Sequence, residues 1–178
     1  MSASPTLVPG ASYLSVLAEV PGSLAERVVG WRAERGLVGP AVETCHITVL
    51  IGADQSGESL LEVLAGRLAC LKPFEVTLGS PLSFEPVTPV TYLPVVGGAW
   101  QLARAHTLCT EVVGPSVSPF PYEPHVTLAH QNDPAILRAS IADFSDLPHE
   151  LTRFAVSRLG VYRFVEGGWE ALGIVSLG

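Results

Sequence analysis

The sequence predicts a mixed domain of two similar lobes, α+β or α/β, on three observations. Blocks of sequence recur in the same order at an offset of 79–80 residues. Strand-like and helix-like stretches alternate within each copy. No long Gly/Ser/Pro-rich linker separates the copies, so one body is expected. With 178 residues there is room for one domain with a full core, or for two small lobes packed together. Residues 1–178 are therefore read as a single bilobed domain with internal repeats at about 12–79 and 91–160.

The recurring blocks are specific. Ser12-Tyr13-Leu14-Ser15-Val16 matches Thr91-Tyr92-Leu93-Pro94-Val95, and Cys45-His46-Ile47-Thr48-Val49-Leu50 matches Pro124-His125-Val126-Thr127-Leu128-Ala129, both at an offset of 79. Phe74-Glu75-Val76-Thr77 matches Phe154-Ala155-Val156-Ser157 at 80.

Taken in order, residues 12–20 and 90–96 read as strands rich in Val, Leu, Tyr and Thr. A helix follows each. Ser23 and Glu26 open the first at capping-box spacing, and the second runs from about Ala99 to Val113. Gly39-Pro40 and Gly114-Pro115 are expected to stop them, because proline cannot continue a helix. The His-x-Thr strands come next, at about 44–51 and 124–130. Helices follow at about 59–71 and 134–143. In the first of these Leu60, Leu61, Leu64, Leu68 and Leu71 share one face, and Ser59 with Glu62 makes a second capping box. Strands near 74–79 and 152–163 close each unit, a last strand spans about 169–177, and 81–87 is a candidate extra strand.

Composition narrows the function. A chain that is 48% hydrophobic and 15% charged, with mean hydropathy +0.39, is neither disordered nor fibrous. Its longest apolar runs, such as Val95–Trp100, fall far short of the roughly 20 residues of a membrane span, so no membrane partner is expected. The start, Met1-Ser2-Ala3-Ser4-Pro5, lacks the pattern of a signal peptide. Cys45, Cys70 and Cys109 are odd in number and widely spaced, which fits reduced thiols in a cytoplasmic protein and forms neither a disulfide framework nor a zinc site. The net charge of −7 and pI near 5.1 argue against duplex DNA or any long nucleic acid held by phosphate neutralisation. An anionic ligand is expected to be small, or gripped at one local site.

Residues i and i+2 of a strand share a face, so His46 projects with Thr48, and His125 with Thr127. From the composition, His-apolar-Thr-apolar is expected roughly 0.06 times in this chain, yet it occurs at both repeat positions. A single such histidine is usually a hydrogen-bonded structural residue. A symmetry-related pair brings two imidazoles and two hydroxyls to a shared cleft. One imidazole can act as base while the other acts as acid, and the hydroxyls can donate to phosphoryl oxygens. That arrangement suits in-line attack at phosphorus.

His46-Ile47-Thr48-Val49 and Pro124-His125-Val126-Thr127-Leu128, with the lead-in Tyr122-x-Pro124, resemble the paired motifs of the 2H phosphoesterase superfamily, in its 2′-5′ RNA ligase and cyclic nucleotide phosphodiesterase branch. The resemblance covers nearly the whole chain. It implies an α+β fold, two pseudo-symmetric lobes of strand-helix-strand-helix-strand flanking a central cleft, and chemistry on 2′,3′-cyclic or 2′,5′-linked phosphates with no metal and no cofactor. It implies that His46 and His125 are acid and base, with Thr48 and Thr127 holding the phosphate. Many relatives carry an arginine after the second motif, where this chain has Ala129-His130, and a basic residue with a Phe after the first, where it has Leu50-Ile51-Gly52-Ala53. These differences, with the acidic pI, shift the expected substrate from a large RNA towards a small nucleotide or an unusual phosphodiester.

Among the remaining residues, Tyr122 is the best placed aromatic for a substrate contact, three residues before His125. His130 is a candidate phosphate contact, although strand parity sets it opposite His125 and Thr127 unless the strand ends or bulges. His106 and His149 read as structural or surface residues, and Arg153, Arg158 and Arg163 as a solvated strand face. The expectation is a monomeric cyclic phosphodiesterase acting on a small nucleotide or RNA end. Its alternatives are 2′-5′ RNA ligation at the same site, and a phosphate-binding module without turnover.

Overall fold

The computed structural model describes residues 11–37, 44–54, 57, 59–165 and 168–178. In chain order it contains β1 (Tyr13–Glu19), α1 (Gly22–Glu34), β2 (His46–Ala53), α2 (Leu60–Leu68), β3 (Phe74–Leu78), β4 (Leu82–Ser83) and β5 (Val90–Gly97). Then come α3 (Ala99–Val113), β6 (His125–His130), α4 (Pro134–Asp143), α5 (His149–Thr152), β7 (Arg153–Val156), β8 (Arg158–Val165) and β9 (Gly168–Ser176).

The strands follow the path β7-β3-β5-β6-β2-β1-β8-β9, with β4 paired to β5. The path is symmetric about the β6–β2 seam: each His-x-Thr strand is flanked on its outer side by the first strand of its own unit. The outermost places are exchanged between units. β3 lies beside β5, and β8 lies beside β1. The segments matched at offset 80, β3 and β7, are direct neighbours, with Val76 across from Phe154.

Residues 152–163 are not one strand. The ladder breaks at Ser157, whose carbonyl instead accepts from the N–H of Leu177 at 2.9 Å, so β7 joins one end of the path and β8 the other. Strands one residue apart in sequence cannot lie at opposite ends of a flat sheet. The sheet therefore curls, and its concave side forms the cleft between two lobes.

The helices are shaped by burial more than by the caps expected for them. Leu24, Val28, Trp31 and Arg32 make the buried stripe of α1. Its N-cap is Pro21, which places Ser23 inside the first turn, and no side chain caps the helix. Ser59 does precede α2, but its ψ of 10° is not the extended conformation that aims a hydroxyl at the free N–H groups, and it makes no cap bond either. Among the described residues only Asp133 caps as a side chain, accepting from the N–H of Ala135 at 2.8 Å ahead of α4. At its far end α1 stops at Gly36, whose φ of 68° allows the N–H of Leu37 to reach the Arg32 carbonyl and its own N–H to reach Ala33. Gly39-Pro40 lies outside the described residues. Gly114 ends α3 as expected, donating to the Thr110 carbonyl. The segment at 81–87 contributes only the two residues of β4. Among the described residues no helix is long and apolar enough to cross a membrane.

Candidate active site

The two His-x-Thr strands meet at the seam in antiparallel pairing, Ile47 across from Val126. That register sets His46 across from Thr127 and Thr48 across from His125. Ile47 and Val126 are fully buried, whereas His46, Thr48, His125 and Thr127 are half-buried on the opposite, concave face. Diagonal partners across two strands stand about 7–8 Å apart, so the two imidazoles are neighbours on this face, each with a threonine directly across from it.

Both strands then bulge at the same relative position. Between β1 and β2 the pairing shifts from Leu17–Thr48 to Val16–Leu50, leaving Val49 as the extra residue. Between β5 and β6 it shifts from Tyr92–Thr127 to Thr91–Ala129, leaving Leu128. The extra residue disrupts the ladder and re-aims the side chains beyond it. In β6 His130 pairs with Val90 and so returns to the face of Thr127. It lies at the far end of that face, roughly 13 Å along the strand from His125.

Carbonyls in and beside the bulged strands are taken up by one buried and two half-buried polar side chains. Arg32, 4% exposed, donates from Nε to Leu128 O at 2.9 Å, from Nη2 to Thr127 O at 2.6 Å and from Nη1 to Thr44 O at 2.6 Å. At the other strand His106 Nδ1 donates to Val49 O at 2.7 Å, and the Tyr122 hydroxyl donates to Thr48 O at 3.1 Å. The rings of His106 and Tyr122 stack at 4.2 Å. Tyr122 thus holds the backbone behind Thr48, and its hydroxyl is engaged there. Arg32 and His106 were not expected as site supports. The spacing of Leu24, Val28, Trp31 and Arg32 carries the signal for the first, since it puts Arg32 on the buried stripe of α1.

The two histidines differ in surroundings. His125 Nδ1 donates to the Glu123 carbonyl at 2.6 Å, which leaves Nε2 for the cleft. Its ring packs edge-on against Phe84 and Tyr92, each at 5.2 Å, and these two stack on one another at 3.8 Å. The Tyr92 hydroxyl donates to the Glu123 carboxylate at 3.3 Å. Phe84 carries no signal in the sequence because it lies just past β4, in the turn that returns to β5. Burial lowers the pKa of His125, while the Glu123 carbonyl and carboxylate oppose that shift. For His46 every influence acts in one direction. Burial first, then the positive charge of Arg32, then His125, bring it down to about 4. Burial pushes the adjacent Cys45 thiol up to about 11, opposite to what a nucleophile needs.

A model of the 2′-5′ RNA ligase superfamily matches residues 20–168. The chain belongs to this superfamily. Solved structures agree on the fold expected of the 2′-5′ RNA ligase superfamily. The apo structure of E. coli LigT is 22% identical, with a TM-score of 0.68 over 94% of this chain and 98% of that one. E. coli LigT complexed with 3′-AMP gives 20% identity and a TM-score of 0.62 over the same shares. TT0787 of Thermus thermophilus gives 20% and 0.62 over 92% and 97%. No curated protein sequence matches.

Arg153, Arg158 and Arg163 form ion pairs with Glu75, Glu19, and Asp54 with Glu170, respectively. His149 opens the short helix α5.

Proposed function

We propose that this chain is a phosphodiesterase that opens 2′,3′-cyclic phosphates of small nucleotides or RNA ends. The observation that carries this reading is the antiparallel seam: the Ile47–Val126 pair sets two imidazoles and two hydroxyls diagonally about one point on the concave face. His46, kept neutral by burial beside a permanent cation, takes the proton of the attacking water. His125, whose Nδ1–H is held by the Glu123 carbonyl and whose protonated form Glu123 favours against the burial that lowers its pKa overall, gives a proton from Nε2 to the departing ribose oxygen. Water adds to phosphorus as the P–O bond to one ribose oxygen breaks, and the product is a phosphate monoester with a free hydroxyl. Thr48 and Thr127 donate to the non-bridging oxygens, whose charge grows in the transition state.

The test is turnover of a panel of nucleoside 2′,3′-cyclic phosphates in EDTA, with product isomers identified. Ring opening that disappears in His46→Ala and His125→Ala supports the reading. Absence of ring opening across the whole panel by the intact protein overturns it.

A further inference from the structure

Only one residue pair, Ile47 with Val126, registers across the β2–β6 seam. Immediately beyond it on each strand stands the threonine of the motif, and there side chains from other elements hold the main chain. In β6 the carbonyls of Thr127 and Leu128 both accept from the Arg32 guanidinium of α1. The carbonyls 79 residues earlier, Thr48 O and Val49 O of β2, accept from two separate groups. The Tyr122 hydroxyl donates to the first at 3.1 Å and His106 Nδ1 to the second at 2.7 Å. The two lobes clamp the same pair of repeat positions by different means, a buried cation in one and two stacked rings in the other. Those rings lie 6° from parallel with centroids 4.2 Å apart, so each fixes the plane of the other. Tyr122 also belongs to the lead-in of β6, between Pro121 and Pro124, whose rings restrict the backbone. The next residue, Glu123, holds His125 Nδ1 through its carbonyl.

We propose that Tyr122 and His106 are positioning residues for the Thr48 hydroxyl, acting through the Thr48 and Val49 carbonyls and not by contact with the substrate. The inference rests on the reading of Thr48 as a donor to the substrate's phosphate. Threonine is branched at Cβ and stiff about χ1, so its hydroxyl points where the backbone aims it. A hydrogen bond to Thr48 O fixes the peptide plane that its Cα carries, and a second on Val49 O fixes the next plane. Val49 is also the extra residue of the bulge against β1, where the ladder constrains the chain least. Burial pushes the Tyr122 phenol up, so the hydroxyl keeps its proton and stays a donor. Because Tyr122 lies three residues before His125, the same clamp ties the entry of one motif to the threonine of the other.

The experiment is calorimetric binding of inorganic phosphate to the intact protein, to Tyr122→Phe, His106→Leu, His106→Asn and Thr48→Ala, and to the double variant Tyr122→Phe/Thr48→Ala. Tyr122→Phe keeps the ring stack and removes only the donor to Thr48 O. It is expected to weaken phosphate about two- to ten-fold, the scale of coupling between neighbouring groups. His106→Leu should do the same. His106→Asn, whose amide can present an N–H near the place of Nδ1, should bind within about two-fold of the intact protein. In the Thr48→Ala background Tyr122→Phe should have no further effect, because no hydroxyl is left to aim. A merely structural role would lower the melting temperature and leave phosphate binding alone, or weaken it by the same factor in both backgrounds; either result overturns the proposal. His106→Asn binding as weakly as His106→Leu overturns the part given to His106, and if His106→Leu does not fold, the Tyr122 cycle decides alone. Phosphate binding needs no turnover, so the two readings fail separately. A protein that shows the coupling described, yet opens no cyclic phosphate, overturns the phosphodiesterase reading and leaves the clamp standing. Phosphate binding that Thr48→Ala does not change overturns the clamp.

Discussion

Arg32 Nη2 donates to the carbonyl oxygen of Thr127 at 2.6 Å, so a buried cation on α1 holds the back of the strand whose hydroxyl faces the cleft. The same guanidinium holds Leu128 O and Thr44 O, two residues before His46. Replacing it with Met removes all three donors from buried carbonyls, and hydrogen bonds to a charged group contribute about 1.5–3 kcal/mol each. Arg32→Met is expected to lose about 3 kcal/mol or more of stability in urea unfolding. It should also raise the pKa of His46, since the Arg32 charge is one cause of its depression. A purely structural role would unfold the protein more easily without moving the His46 titration, which NMR reads directly.

The depressed pKa of His46 also makes stability depend on pH. In the folded protein the imidazole takes a proton near pH 4, whereas in the unfolded chain it does so near 6.5. Between those values the unfolded state binds the extra proton, so stability is full above about 6.5 and falls as pH drops towards 4. The loss from this group is about 3 kcal/mol. Burial also lowers His125 and His130, so they add in the same direction. In His46→Gln the slope of stability between pH 6.5 and 4 should be visibly shallower. An unchanged slope would mean that His46 does not titrate in this way.

The face carrying His46, Thr48, His125 and Thr127 was legible in the sequence because a strand alternates with period two, and Ile47, Val49, Val126 and Leu128 mark the buried side. The bulges were not, because an extra residue is a property of the ladder between two strands. Thr91 and Ala129 show it only once they are paired. His130 illustrates the consequence: its parity from sequence is opposite to Thr127, and the bulge at Leu128 reverses it. The break at Ser157 was hidden for a similar reason, since residues on either side have ordinary strand composition and part only because β3 and β1 offer two separate edges. Capping boxes at Ser23 and Ser59 have the right spacing, but neither serine adopts the position or backbone angle that the cap requires.

Chelation provides another check. The described residues gather no group of three or more His, Cys, Asp or Glu side chains able to hold a metal ion. On the proposed mechanism, in which the seam supplies acid, base and phosphate donors, activity is expected to survive exhaustive dialysis against EDTA unchanged. Loss on chelation, restored by a single divalent ion, would overturn the acid–base account.

Single substitutions at the seam separate catalysis from mere binding. His46→Ala or His125→Ala should lower kcat by about 10²-fold or more, the scale of a positioned general acid or base. The pH–rate profile of the intact enzyme should be bell-shaped, because His46 must be neutral while His125 is protonated, and each substitution should remove one limb. Thr48→Ala and Thr127→Ala should weaken binding of inorganic phosphate by about ten-fold or more, since each removes a donor to an anion. These four side chains are only half-buried on the concave face, so their removal should cost little stability, and at pH values below about 6.5 His46→Ala should be more stable than the intact protein. If both His→Ala proteins retained full turnover while losing several kcal/mol of stability, the histidines would be supports of the seam and not its reacting groups.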